Sequence, residues 1–175
     1  MSAIAAAVVN LSASDFQIFG VPEQFAQSLP ELDAKWKALQ REAHPDKFTT
    51  QDASAQRLAM QWSVRINEAY LRLKDPLKRA AYLCELRGES INAENNTAMP
   101  AAFLMQQIEW RQAADDATSD GQIETLLAEV SALKQNLLAQ CGRALDEENA
   151  SEAASGLVRS LMFIEKFESE LEDRL

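Results

Sequence analysis

Glycine and proline are scarce in this 175-residue chain, with five of each, and their scarcity leaves few positions where a helix must break. No apolar run approaches the roughly 20 residues that cross a bilayer as a helix. The apolar stretch from Ile4 to Leu11 has no Lys or Arg ahead of it and is short for a signal sequence. It therefore reads as a loosely held tail over residues 1–13. The only two cysteines, Cys84 and Cys141, lie far apart and outside any C-x-x-C, so buried free thiols in a reducing cytoplasm are expected. His44 is the single histidine, which excludes a His–His metal site and a histidine relay. A Gly-rich phosphate loop, a nucleophile elbow and a metal-ligand cluster are absent as motifs, so no catalytic activity, no metal and no cofactor is expected.

What is present points to helices. The composition is 47% hydrophobic and 25% charged, enough apolar surface to bury a core, and long 3.6-residue periodicities make an all-α fold the expectation. The net charge of −10 hides an asymmetry. Residues 1–88 carry 11 basic and 10 acidic side chains, whereas residues 89–175 carry 6 basic and 17 acidic ones. A step of that size suggests two units with different partners, and the acidic half would repel nucleic acid.

Along the chain, Ser14-Asp15-Phe16 opens a short helix that ends near Gly20. Pro30 stands at the start of a second helix, where its missing N–H costs little. In that helix Leu32, Trp36, Leu39 and Ala43 mark one buried stripe. It must stop at Ala43-His44, because the residue before Pro45 is pushed out of the α region. After a loop from His44 to Gln51, a long helix carries Ala55, Leu58, Ala59, Trp62, Ile66, Ala69, Tyr70 and Leu73 on its stripe. The two helices should pack antiparallel as a hairpin. Asp75-Pro76 then opens a short helix that Gly88 closes.

The polar, Asn-rich residues 89–98 read as a linker. Three more helices are predicted, from about Pro100 to Ala117, Ser119 to Leu145, and Ser151 to the C-terminus; Ser119 and Gln122 have the spacing of a capping box. Leu126, Val130, Leu133, Leu137 and Cys141, then Leu157, Leu161, Ile164 and Leu171, follow the seam spacing of a bundle. Residues 99–175 should form a three-helix bundle.

His44-Pro45-Asp46 admits two readings by spacing alone. It either breaks a helix and caps a turn, or presents a functional pair on an exposed loop; general-base catalysis would need a pocket and a nucleophile that such a loop does not supply. The surroundings favour the functional reading. The string Trp36-x-x-Leu39-x-Arg41-x-x-His44-Pro45-Asp46-Lys47-Phe48, then Ile66-Asn67-Glu68-Ala69-Tyr70 and Asp75-Pro76-x-x-Arg79, resembles the J domain. The resemblance implies a J domain over residues 14–88 that docks its basic helix and tripeptide on an acidic face of a DnaK-type chaperone. Lys35, Lys37, Arg41 and Lys47 would then form a steering positive face, with Asp46 positioned to meet a partner arginine, His44 to add a hydrogen bond and Pro45 to hold them in register. For Lys35 and Lys37, simple solubility of a helix face is the competing explanation.

The helix after the linker has more apolar residues than one stripe needs. At about 100° per residue, Phe103, Trp110, Ala114 and Ala117 cluster on one side, and Leu104, Met105 and Ile108 on the other beside Glu109, Gln112, Asp115 and Asp116. A bundle helix turns one side inward, so the Leu/Met/Ile group with its acidic rim is expected to be exposed as an interaction site, unless both sides are covered. A J domain followed by an acidic bundle with Phe103-Leu104-Met105-x-Gln107-Ile108-Glu109, together with Pro76-Leu77-x-Arg79-Ala80-x-Tyr82-Leu83, is similar to the heat shock cognate protein B family of iron–sulfur assembly co-chaperones. That resemblance implies that Leu104, Met105, Ile108, Glu109, Gln112, Asp116 and Phe163 bind the iron–sulfur scaffold protein. Gln112, in place of an acid, and the short Asp116 depart from the family pattern and weaken its electrostatic part. Phe163 lies off its helix's stripe, which fits an exposed role. The alternative function is a general J-domain co-chaperone whose bundle binds unfolded clients or self-associates.

Overall fold

In the computed structural model, which describes residues 11–48, 51–91 and 99–175, every regular element is helical among those residues. Most of the tail, the end of the tripeptide loop and most of the linker read from the sequence lie outside the described residues.

Helix α1 spans Asp15–Phe19 and begins with a capping box, in which Ser14 accepts from the Gln17 N–H and the Gln17 side chain accepts from the Ser14 N–H. It ends at Gly20, whose φ of 59° is the left-handed conformation a C-cap glycine supplies. Helix α2 spans Leu29–Ala43 with Ser28 as N-cap and Pro30 in its first turn. It stops before His44, and Pro45–Phe48 form a turn of 3-10 helix where the sequence reading placed an open loop. Helix α3 spans Ala53–Lys74, capped by Asp52. The short α4 spans Pro76–Leu86, with Asp75 accepting from the Lys78 N–H at 3.0 Å and Gly88 beyond its end at φ 86°.

Helices α2 and α3 run antiparallel, because Asp33 bonds to Tyr70, Trp36 to Asn67 and Gln40 to Ser63. Asn67 Oδ1 accepts from both Trp36 Nε1 at 2.9 Å and Gln40 Nε2 at 2.7 Å, while the Trp36 and Tyr70 rings stack at 4.9 Å. The stripes read from the sequence bury Leu32 and Ala43 of α2 and Ala59, Trp62, Ile66, Ala69 and Leu73 of α3, with Phe16 and Phe19 of α1. Trp36, Leu39, Ala55, Leu58 and Tyr70 are half-buried at the margins. Asp15, fully buried, is held by Arg65 at 2.6 Å and Arg72 at 2.9 Å, which ties α1 to α3. Buried Arg79 donates to the carbonyls of Phe25 and Leu73, so the Asp75-Pro76-x-x-Arg79 segment acts as a clamp.

The second part of the chain holds α5 (Ala101–Asp116), α6 (Asp120–Asp146) and α7 (Ser151–Glu172). The Ser119 side chain makes no cap bond; Gln122 reaches back one residue further, accepting from the N–H and hydroxyl of Thr118. The α6–α7 connection includes Asn149 at φ 51°, a conformation asparagine tolerates. Helices α6 and α7 are antiparallel, with Lys134 bridging Glu165 and Glu168, while α5 runs parallel to α7 through Phe103–Phe163 and Arg111–Glu170. Trp110, Ala114, Ile123, Leu126, Val130, Ile164, Phe167 and Leu171 form one core, to which Phe167 adds a residue outside the expected seam.

The chain divides into two compact units, Met1–Arg79 and Ala80–Leu175. The division falls inside α4, ahead of the linker at 89–98 to which the composition pointed. The latter part of α4 belongs with the bundle: Cys84 Sγ lies 3.9 Å from the Ser151 carbonyl, and Arg87 donates to that of Leu145 at 2.7 Å.

Candidate functional site

Two constellations of the expected residues can be located, one on each unit. On the first, α2 ends at Ala43 because Pro45 pushes the residue before it, His44, out of the α conformation and into an extended one, and the 3-10 turn carries Asp46 and Lys47 outward. His44 and Asp46 are both exposed, the latter at 85%. The Asp46 N–H donates to His44 Nδ1 at 3.3 Å, and the Asp46 carboxylate lies 3.5 Å from the same nitrogen. In the neutral ring, a bond accepted at Nδ1 leaves Nε2–H as the free donor. The Lys47 N–H closes the turn on the His44 carbonyl at 3.0 Å. Imidazole and carboxylate are thus held side by side by backbone geometry.

The basic residues around this turn divide. Lys37, Arg41 and Lys47 are exposed, and Arg41 in the last turn of α2 also complements the helix dipole. Lys35 does not share their face. Lys37 and Arg41 are four residues apart and lie on one side, whereas Lys35 Nζ donates to the Gly20 carbonyl at 2.8 Å and lies 3.4 Å from Glu31. The expected four-residue positive face is therefore reduced to three, with Lys35 bound to the end of α1.

On the bundle, the inward side of α5 is the one carrying Phe103, Trp110, Ala114 and Ala117. Trp110 is buried, donates from Nε1 to Glu129 at 2.8 Å and stacks on Phe167 at 6.0 Å. The opposite side leaves Leu104 at 44%, Met105 at 58% and Ile108 at 59% exposure. Glu109, Gln112 and Asp116 continue this side and are exposed as well. An aliphatic row bordered by carboxylates on a rigid helix can bury its side chains against a partner and orient that partner by charge.

Phe163 departs from the expected exposed position. It is half-buried, meets Phe103 edge-on at 6.0 Å and stacks on Phe167 at 6.3 Å. Arg111 lies over both Phe163 and Phe167 at 5.6 Å and bonds to Glu170. Aromatic packing across α5 and α7 draws it in, and the neighbouring Met162, at 42%, is the exposed apolar residue there. Sequence reasoning also passed over Met60, Val64 and Leu71, an exposed row on α3 whose steps of four and seven were a readable signal.

Comparisons with known proteins agree with this architecture. A family model described as the HSCB C-terminal oligomerisation domain matches residues 99–172. The chain is 48% identical over 167 residues to the co-chaperone protein HscB homolog of Burkholderia multivorans, covering 94% of this chain and 95% of the relative. Chaperone HscB from Vibrio cholerae has a solved structure with a TM-score of 0.79 at 33% identity, covering 92% of this chain and 96% of that one. Human co-chaperone protein HscB, at 22% identity, shares the fold with a TM-score of 0.89 over 94% of this chain and 83% of its own. An N-terminal J domain of hairpin form, an α-helical bundle and relatives matched across nearly their whole length have one consequence: the chain belongs to the HscB co-chaperone family.

Proposed function

We propose that this chain is an adaptor in iron–sulfur cluster assembly. Its bundle binds the iron–sulfur scaffold protein through the α5 row, and its J domain delivers that client to a specialised DnaK-type chaperone in the cytoplasm and stimulates the chaperone's ATPase. The observation that carries the reading is the presence of one exposed constellation on each compact unit, a His44–Asp46 pair on the first and the Leu104–Met105–Ile108 row on the second.

On this reading ATP is bound and hydrolysed by the partner, and the J domain acts by favouring one of the partner's conformations. Lys37, Arg41 and Lys47 steer it towards an acidic surface. The Asp46 carboxylate accepts from a partner arginine, while His44 donates from Nε2. Pro45 sets the backbone that keeps the two together. On the bundle, Leu104, Met105 and Ile108 lose their water against the scaffold protein, each with up to about 1.5–3 kcal/mol at full burial, and Glu109 and Asp116 give orientation. Phe163 packs against Phe103 on the inward side of the same helix and so helps to fix α5 in place.

Steady-state ATPase of the DnaK-type chaperone tests the first half. Stimulation should be lost, by more than tenfold in the concentration required, with His44→Gln and with Asp46→Asn. Stimulation that survives both sinks the role of the tripeptide. A second reading, in which the bundle self-associates, is favoured by the oligomerisation named for the matching family model. Sedimentation equilibrium separates the two: a monomer that binds scaffold protein supports the adaptor, and a stable dimer that is broken by Ile108→Asp supports self-association.

A further inference from the structure

Sulfur in this chain is divided between buried and exposed positions. Cys84 and Cys141 are free and fully buried, so their thiols are closed to oxidants in solution. Met99 is half-buried, and its thioether accepts from Gln107 Nε2 at 3.2 Å. Met60, Met105 and Met162 stand exposed. The oxidisable sulfur that solvent reaches among the described residues therefore belongs to three methionines, one each on α3, α5 and α7.

Met105 differs from the other two in its surroundings. It lies between Leu104 and Ile108 in the aliphatic row of α5, on the side turned away from the core. Its surface neighbours on the helix are Ile108 and Glu109 one turn on, and Ala101 and Ala102 one turn back. None of these side chains donates a hydrogen bond. Three are apolar, and the Glu109 carboxylate is an acceptor, already bonded by Gln106 Nε2 at 3.5 Å. As a thioether, Met105 suits this setting, being apolar and easily moulded to a partner. As a sulfoxide it carries a polar oxygen that accepts hydrogen bonds. Buried against an apolar partner surface, that oxygen finds no donor on its own helix, and an unsatisfied buried acceptor costs binding energy.

We propose that Met105 is a reversible oxidation site, at which hydrogen peroxide weakens docking of the scaffold protein on α5. The proposal rests on the docking role given above to the Leu104–Met105–Ile108 row and adds its regulation. The thioether lone pair takes one peroxide oxygen as the O–O bond breaks and the S–O bond forms. The proton on the transferred oxygen passes to the departing hydroxide, so the sulfur is oxidised and the peroxide is reduced to water. A thiol-dependent sulfoxide reductase reverses the step: two thiols become a disulfide, and the oxygen leaves as water.

The experiment exposes the folded, full-length protein to hydrogen peroxide, locates sulfoxides by peptide mass spectrometry and measures scaffold binding by isothermal titration before and after. Circular dichroism checks that the helices survive the treatment. Oxidised wild-type protein should bind about tenfold more weakly than untreated protein, the size of one unsatisfied acceptor, and sulfoxide reductase should restore the affinity. Met60→Leu protein should lose the same factor on oxidation. Met105→Leu protein, measured against its own untreated form, should lose nothing. A sulfoxide at Met105 without weakened binding overturns the proposal. So does an equal loss in Met105→Leu protein, or oxidation of Met60 that leaves Met105 intact. In those cases Ile108→Asp protein separates regulation from docking. If it no longer binds the scaffold protein, the docking row stands and only its regulation falls; if it binds as wild type does, the row falls too. Untreated protein that does not bind the scaffold protein removes both.

Discussion

Burial governs the two cysteines more than any neighbouring charge. Both are free and fully buried, and desolvation raises Cys84 to about 11 and Cys141 to about 12. The folded protein keeps these protons to a higher pH than the unfolded chain, whose thiols ionise near 9. Their contribution to stability is therefore complete below pH 9 and is lost as the pH climbs from 9 through 12. Urea midpoints should fall between pH 8 and pH 10, and fall less steeply in a Cys84→Ala, Cys141→Ala protein; equal slopes would show that other groups govern the alkaline limb. Asn67 shows the same dependence on place. Its residue type marked a family-like string in the sequence, but the string's work is structural, since one carbonyl oxygen accepts from two residues of α2.

At the scale of the element, α5 carries two apolar faces that its neighbours use differently. Trp110 fills the core and satisfies its N–H on Glu129, so Trp110→Ala should cost about 3–5 kcal/mol in denaturant unfolding. Leu104 and Ile108 are exposed, and their replacement by Ala should change stability by no more than about 0.5 kcal/mol. The same two substitutions should weaken scaffold binding by about tenfold in isothermal titration, with ATPase stimulation by the J domain intact. Normal binding would remove the row from the interface. The length and stripe of α5 were legible in the sequence because helical periodicity is local. Whether both faces are covered was not, because that depends on residues of α6 and α7 that arrive later in the chain.

At the scale of the whole molecule, the division at Arg79 and Ala80 assigns most of α4 to the bundle. Cys84 and Arg87 make contacts there with Ser151 and Leu145. A fragment starting at Ala80 should then melt about 5 °C or more above one starting at Met99, as followed by circular dichroism. Equal melting temperatures would mean that residues 80–91 add nothing to the bundle. Linker composition pointed to a later boundary, because a polar, Asn-rich stretch records where regular structure stops and not which core the preceding helix joins.

The sequence by itself determined the helices, their caps at Ser14, Gly20 and Asp75, the buried stripes, the tripeptide between α2 and α3 and the existence of two faces on α5. These follow from backbone sterics and from a 3.6-residue period, both of which act over a few neighbouring positions. Only the tertiary structure decided that Lys35 serves the end of α1, that Phe163 is drawn under Arg111, that Asp15 is buried between two arginines and that the Trp62 N–H is buried without a partner among the described residues. The physical reason is range. The Asp15–Arg72 bond joins residues 57 apart in the chain, and the burial or pairing of a side chain depends on which distant surfaces the fold brings against it.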